Sequence, residues 1–286
     1  MKIFDLHCDT ATALHHAKLP FDNQTTHINK SNTAGHRLTQ CFAVFFPDRL
    51  SQAEAEDLFF SVVDGIFPQL NTPEVSPILT VEGGGVLAGR EDWISLLAEK
   101  NCAMASLVWN GKNPLATGAV TDDNAPLTQR GKDAVKELIA NNITVDVSHL
   151  SRRGAEEILN LTDTPIAASH SNARGVTPHV RNLSDETAKE IFRRGGLVGL
   201  NLYPPFLSEE KASTEDLLRH AEHLLKLGGE GGLALGCDLD GVTSLPAGMK
   251  DFGDLPALHR RFCQAFGTAL AENIFYNNAA RFFGRE

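Results

Sequence analysis

The residues of this chain best suited to chemistry begin with a His-x-Asp pair, His7 and Asp9, in Asp5-Leu6-His7-Cys8-Asp9-Thr10 directly after the apolar Ile3-Phe4. In an extended chain, side chains two apart point the same way, so this imidazole and carboxylate can reach one ion. Alone, such a pair is ordinary polarity at a strand end. Comparable residues recur, however. Glu82 follows Ile78-Leu79-Thr80-Val81, His149 closes Val145-Asp146-Val147-Ser148, His170 follows Ile166-Ala167-Ala168-Ser169, and Asp238 and Asp240 follow Leu233-Ala234-Leu235-Gly236-Cys237. Three imidazoles with several carboxylates and no thiolate form the usual ligand set of zinc or a related divalent ion. A carboxylate such as Glu82 has two oxygens, enough to bridge two ions about 3.5–4 Å apart with a hydroxide between them.

The elements that would position these groups are apolar, β-branched runs alternating with longer segments of helical period. Eight strands are expected, at 3–6, 40–46, 78–82, 103–109, 143–149, 166–170, 197–202 and 233–238. Helices are expected near 51–69, 90–100, 127–141, 151–160, 184–194, 213–227, 255–270 and 271–283, with Ser151 and Ser184 as start signals for two of them. Near-continuous apolar strands separated by amphipathic helices predict a parallel sheet, and eight such units predict an α/β fold of the (β/α)8 TIM-barrel type. The candidate ligands then all lie at carboxyl ends of strands, the barrel face where active sites assemble. Residues separated by more than two hundred positions would thereby converge. The stretch 16–39, rich in His, Asn and Thr, reads as a long loop after the first strand, at that same face.

Length and composition are consistent with this. A chain of 286 residues, 42% hydrophobic, can bury a large core, and a barrel of this size is expected to form one domain over 1–286. Its 26 basic and 36 acidic residues give a net charge of −10, with no basic run, which argues against nucleic acid or an anionic membrane surface as partner. No apolar run approaches the roughly 18 residues of a spanning helix, and the N-terminus reads as a strand, so a cytoplasmic location is expected. Five scattered cysteines without a CxxC spacing read as reduced thiols, with Cys8 and Cys237 turned into the barrel wall.

Individual signals carry further expectations. The glycines after Glu82 would let backbone approach a ligand closely. Strand alternation turns His149 toward the barrel mouth and Asp146 outward to a helix, making Asp146 a supporting or capping residue rather than a ligand. The small polar residues of Ser169-His170-Ser171-Asn172 could orient His170. Of Asp238 and Asp240, only one need face the site. His15, His16, His27, His36, His220, His223 and His259 read as surface or loop histidines.

Taken together, the segments Asp5–Thr10, Val81–Gly84, Asp146–His149, Ser169–Arg174, Arg181-Asn182 and Gly236–Gly241 resemble, in order, the membrane (renal) dipeptidase family, the M19 zinc metallopeptidases of the amidohydrolase-like barrels. Asn277–Arg281 is similar to that family's closing helix. The resemblance implies a two-zinc site in which His7 and Asp9 hold one ion, His149 and His170 the other, and Glu82 bridges them. It further implies Asp238 as catalytic acid/base, Arg181 as the group that binds the substrate carboxylate, and Tyr203 as a pocket residue. A small dipeptide would be the substrate, including one with a D-residue at its C-terminal position, and a homodimer the assembly. One position departs from the family pattern. Many members carry a histidine that contacts the substrate carbonyl where this chain has Trp109-Asn110, and an indole offers only an N–H donor. Two other readings compete. An amidohydrolase acting on an N-acyl amino acid or cyclic amide would be expected to use a carboxylated lysine after strand four, and Ala103–Trp109 contains none. A metal-binding homologue that has lost catalysis would be suggested by Trp109, against the retained Asp238 and full ligand set.

Overall fold

The computed structural model describes residues 1–88 and 92–285. Its eight strands are β1 (Lys2–Cys8), β2 (Arg37–Phe45), β3 (Val75–Glu82), β4 (Met104–Ser106), β5 (Thr144–Asp146), β6 (Ala167–Ala168), β7 (Leu197–Leu200) and β8 (Leu233–Leu235). They pair in parallel, each with the next and β8 with β1, into a closed barrel ringed by helices. The expected (β/α)8 architecture is thus present. Closure leaves no sheet edge, and both faces of every strand are covered, which is why the strands read as continuous apolar runs.

Two packed layers hold the barrel together. Phe4, Leu6, Cys41, Ile78, Met104, Ala167, Leu197 and Ala234 pack with Ala279 and Ala280 of the C-terminal helical segment. Phe283 stacks on Phe4 with ring centroids 5.5 Å apart, so this segment covers the end of the barrel opposite the ligands. A larger apolar layer, which includes Ile3, Phe42, Leu79, Val145, Ile191 and Leu217, fills the space between strands and helices. Ser151 and Ser184 cap the helices Arg152–Leu161 and Asp185–Arg193 as expected, accepting the Gly154 and Thr187 N–H groups.

Several boundaries differ from expectation. The stretch 16–39 is not one loop. A helix, Thr10–Ala17, follows β1 directly, a short helix covers Lys30–Thr33, and β2 begins at Arg37. The helix expected near 51–69 runs as Gln52–Phe60, a π-helical turn over Ser61–Ile66 and Phe67–Leu70. That near 90–100 falls partly outside the described residues and is seen as Trp93–Glu99. β5, β6 and β8 stop two or three residues short of His149, His170 and Asp238, which sit in the turns that follow. The cause is local: His149 and Asp238 have φ of 68° and 61°, left-handed values that cannot continue a strand. The glycines after Glu82 serve packing, not ligand approach. Gly83 has φ 83°, and a Cβ there would lie 2.2 Å from the Phe46 carbonyl oxygen. Among the described residues, no helix is long and apolar enough to cross a membrane.

Candidate metal centre and substrate pocket

β1 delivers His7 through a bulge: between Asp5 and Cys8 it advances three residues while β2 advances two. Such bulges re-aim side chains beside active sites. Asp9 lies just past the strand, at the start of the helix Thr10–Ala17, yet its carboxylate caps nothing there and turns to His7 instead. Glu82 ends β3 opposite Phe45 of β2. The five expected ligands therefore meet. His7 Nε2 lies 3.6 Å from Glu82 Oε2 and 3.9 Å from Asp9 Oδ1. His149 Nε2 and His170 Nε2 lie 2.7 and 3.5 Å from the other carboxylate oxygen, Glu82 Oε1. Asp238 Oδ1 stands 3.8 Å from His7 Nε2.

Hydrogen bonds assign the ring tautomers. His149 Nδ1–H donates to Asn110 Oδ1 at 3.0 Å, which leaves the Nε2 lone pair facing Glu82. Ser169 Oγ–H donates to Asp146 Oδ2 at 2.5 Å and so accepts from His170 Nδ1, 2.7 Å away. His170 Nε2, His7 Nε2 and Asp9 Oδ1 are buried without a hydrogen-bond partner. Ring nitrogens and carboxylate oxygens thus converge with three of them lacking any hydrogen-bond partner, and the donor set fits divalent ions. Two triads have ligand atoms within 4.8 Å of one another, His7-Glu82-His170 and His7-Asp9-Asp238.

The electrostatics agree. Burial pushes Asp9 well above the usual carboxylate range and Asp238 up to about 6, with Glu82 adding to both. Glu82 is held well below that range despite its burial, because His149 and His7 flank it. Burial would lower His7, but Glu82, Asp9 and Asp238 raise it to about 10. Burial takes His149 down to about 4, and Arg181 contributes. The carboxylates draw positive charge into the cluster, while His149 and His170 stay neutral as ligands must.

Above the cluster lies a cavity of about 330 Å³ lined by Asp9, Glu82, His149 and Asp238, with Trp109, Asn110, Arg181 and Tyr203 in its walls. Arg181 is 5% exposed, its Nε and Nη2 have no partner, and its guanidinium rests 5.3 Å from the Phe206 ring centre. Burial lowers its pKa to about 10, so it remains a cation. Trp109 packs edge-on against Phe45, and Tyr203 edge-on against Phe206. Asn110 spends its side-chain oxygen on His149.

Some expectations need correction. Asp146 does not point outward to a helix. It accepts the Ser148 and Ser169 N–H groups at 2.9 Å as well as the Ser169 hydroxyl, because the chain turns at Ser148 rather than running on extended. His220 is neither surface nor loop: it is fully buried in the helix Thr214–Lys226. Asp240 faces away from the cluster, accepting Thr10 Oγ1–H at 2.6 Å and His27 N–H at 2.6 Å, and so holds the loop after β1 in place. Sequence reasoning passed over Asn201, whose Nδ2 donates to Asp238 Oδ2 at 3.0 Å. Its signal was an amide directly after the apolar run of β7.

Comparison with known proteins bears on this geometry. The model of the membrane dipeptidase family, peptidase family M19, matches residues 63–285. The chain belongs to this family. Among curated relatives, an uncharacterized protein in the pqqA 5′ region of Klebsiella pneumoniae is 31% identical over 189 residues, 62% of this chain and 69% of that one. An uncharacterized dipeptidase of Schizosaccharomyces pombe is 30% identical over 64% of this chain, and a second is 31% identical over 54%. The matches span only 46% and 38% of the length of these two yeast proteins. The fold is shared over its whole length with two solved metallopeptidase structures. The metallopeptidase dipeptidase AC has a TM-score of 0.87 at 24% identity, covering 100% of this chain and 98% of that one. A Rhodobacter sphaeroides metallopeptidase, solved with a phosphinate mimic of L-Ala-D-Ala, has a TM-score of 0.86 at 23% identity, covering 100% and 99%.

Proposed function

We propose that this M19 chain is a zinc-dependent dipeptidase holding two ions, one on His7 and Asp9, the other on His149 and His170, with Glu82 between them. The observation that carries the reading is that one small cavity joins this ligand cluster to Arg181, a buried guanidinium with two free donors. Nε and Nη2 form the side-on fork that matches a carboxylate, so the C-terminal carboxylate of a short substrate is held at one end of the cavity. When bound, the ions supply an acidified water and polarise the scissile carbonyl. Asn201 occupies Asp238 Oδ2, which leaves Oδ1 to take the water's proton and pass it to the departing amine. Asn110 keeps His149, and Asp146 through Ser169 keeps His170, in the tautomer that presents Nε2. Trp109 and Phe45 close one wall of the cavity with apolar surface. The Rhodobacter relative's ligand supports an L-Xaa-D-Xaa substrate. The reading includes a single domain, a cytoplasmic location, a homodimer and no nucleic-acid or membrane partner.

The test is hydrolysis of L-L, L-D and D-D dipeptides by zinc-loaded protein, beside metal-stripped protein and an N-acetyl amino acid. Metal-dependent cleavage of a dipeptide, with the acetylated compound untouched, is the expected result. Two bound zinc ions without cleavage of any dipeptide would overturn the reading and turn attention to other amides.

A further inference from the structure

Among the described residues Arg181 has no ion-pair partner to fix it, so its place depends on the loop that bears it. That loop leaves β6 after Ala168 and closes on itself where Arg174 N–H donates to the Leu183 carbonyl at 2.8 Å. Inside it, Asn182 Nδ2 donates to the Thr177 carbonyl and to the Phe206 carbonyl, each at 2.9 Å, and Arg174 Nε donates to the Asn182 carbonyl. The Phe206 segment follows β7 and supplies the ring beneath the guanidinium.

Both segments are anchored to one buried side chain that the proposed chemistry does not use. His220 Nδ1 accepts the Ala173 N–H at 3.1 Å, so the ring proton sits on Nε2, which donates to the Leu207 carbonyl at 3.1 Å. Thr177 Oγ1 donates to the same carbonyl at 2.8 Å and lies 3.3 Å from His220 Nε2. Burial lowers the ring's pKa to about 4, so it stays neutral and can accept at Nδ1. One turn further along the same helix face, His223 Nε2 pairs with Asp185 Oδ1 at 2.8 Å against Gly175, where a Cβ would lie 2.9 Å from the ring. The helix Thr214–Lys226 therefore braces the Arg181 loop at two points.

We infer that His220 is a positioning residue for substrate-carboxylate recognition: its ring ties the loop after β6, which carries Arg181, to the segment after β7, which carries Phe206. The inference rests on Arg181 being the carboxylate-binding group. Loss of the tie should displace the guanidinium relative to the metal ligands while leaving the ligands, held by β1, β3 and their own hydrogen bonds, where they are.

The test compares a dipeptide such as L-Ala-D-Ala with its C-terminal amide on zinc-loaded wild type, His220→Leu, His220→Gln and Thr177→Val. For His220→Leu, KM for the free dipeptide should rise about tenfold with kcat within about twofold, kcat/KM for the amide should be unchanged, and bound zinc should be unchanged. His220→Gln, which can both accept and donate, should recover most of the loss. Thr177→Val should shift KM in the same direction by about threefold, and carries the test should His220→Leu fail to fold. Wild type that does not prefer the dipeptide to its amide would overturn the Arg181 reading, and this inference with it. A wild-type preference that survives in His220→Leu, or in Thr177→Val, would overturn the inference alone. So would an equal loss on both substrates, which marks general damage.

Discussion

Replacing Arg181 with methionine should make the protein more stable and nearly inactive on dipeptides. The guanidinium is buried beside Phe206 with Nε and Nη2 unpaired among the described residues, and burial lowers its pKa to about 10. At roughly 1.4 kcal/mol per pKa unit, holding the cation there costs the fold about 3 kcal/mol. The sign follows from proton counts. Below about pH 10 the folded and unfolded chains both carry the proton and the cost is felt in full. Above about pH 10 the folded chain releases it before the unfolded chain does, and the cost is relieved. At neutral pH an uncharged side chain of similar length therefore recovers most of that energy. Urea unfolding in chelator, which removes stabilisation by bound metal, should show a midpoint higher by about 1 M for an m-value near 3 kcal/mol/M. The same substitution removes two charge-assisted hydrogen bonds to substrate, worth roughly 1.5–3 kcal/mol each, so kcat/KM should fall by about 10²–10⁴, mostly through KM. A variant no more stable than wild type would refute the view that this cation is held at the fold's expense. Undiminished dipeptide turnover would refute its role in recognition.

Other perturbations probe the cluster itself. Glu82→Gln should bind less than one equivalent of zinc by elemental analysis, since each carboxylate oxygen faces a different histidine group; two full equivalents would count against bridging. Asp238→Asn should keep both ions and lose about 10²–10⁴ in kcat, because Oδ1 could no longer take a proton; wild-type turnover would remove the proposed acid/base. Asp146→Asn breaks the chain from Asp146 through the Ser169 hydroxyl to His170 Nδ1, so chelator competition should show zinc held about 10–100-fold more weakly, and unchanged affinity would mean that His170 needs no such support.

The barrel was legible because each strand is largely buried on both faces and therefore mostly apolar, and because the helices between carry clear periods and caps. What escaped was the first turn after β1. The helix Thr10–Ala17 has histidines at 15 and 16 and no side-chain cap, because the residue at its cap position, Asp9, turns its carboxylate to His7. A residue committed to the site cannot also announce the helix it begins. The same conflict hid Asp146 and His220. Period-two alternation assumes an extended chain, and Asp146 breaks it by capturing the Ser148 N–H. His220 sits on a helix whose polar residues read as a solvated face, and only the packing of two loops against that helix shows a ring making buried hydrogen bonds.

The ligand set was legible for a different reason: residue type at a strand end survives errors in boundary. Direction does not. His149, Asp238 and Asp240 have φ of 68°, 61° and 65°, a region that favours glycine and costs other residues about 1–3 kcal/mol each. Glycine would relieve that cost at these positions but would bring no imidazole or carboxylate. The conformations are held from outside: Ala119 N–H donates to the His149 carbonyl at 2.8 Å, Asp238 N–H to the His7 carbonyl at 3.0 Å, and Asp240 N–H to His27 Nδ1 at 2.9 Å. The Asp238 bond joins the end of β8 to β1, the point where the barrel closes, and the Asp240 bond ties the same turn to the loop that bears His27. The aim of Asp238 therefore depends on contacts made across the whole length of the chain, which no local stretch of sequence contains.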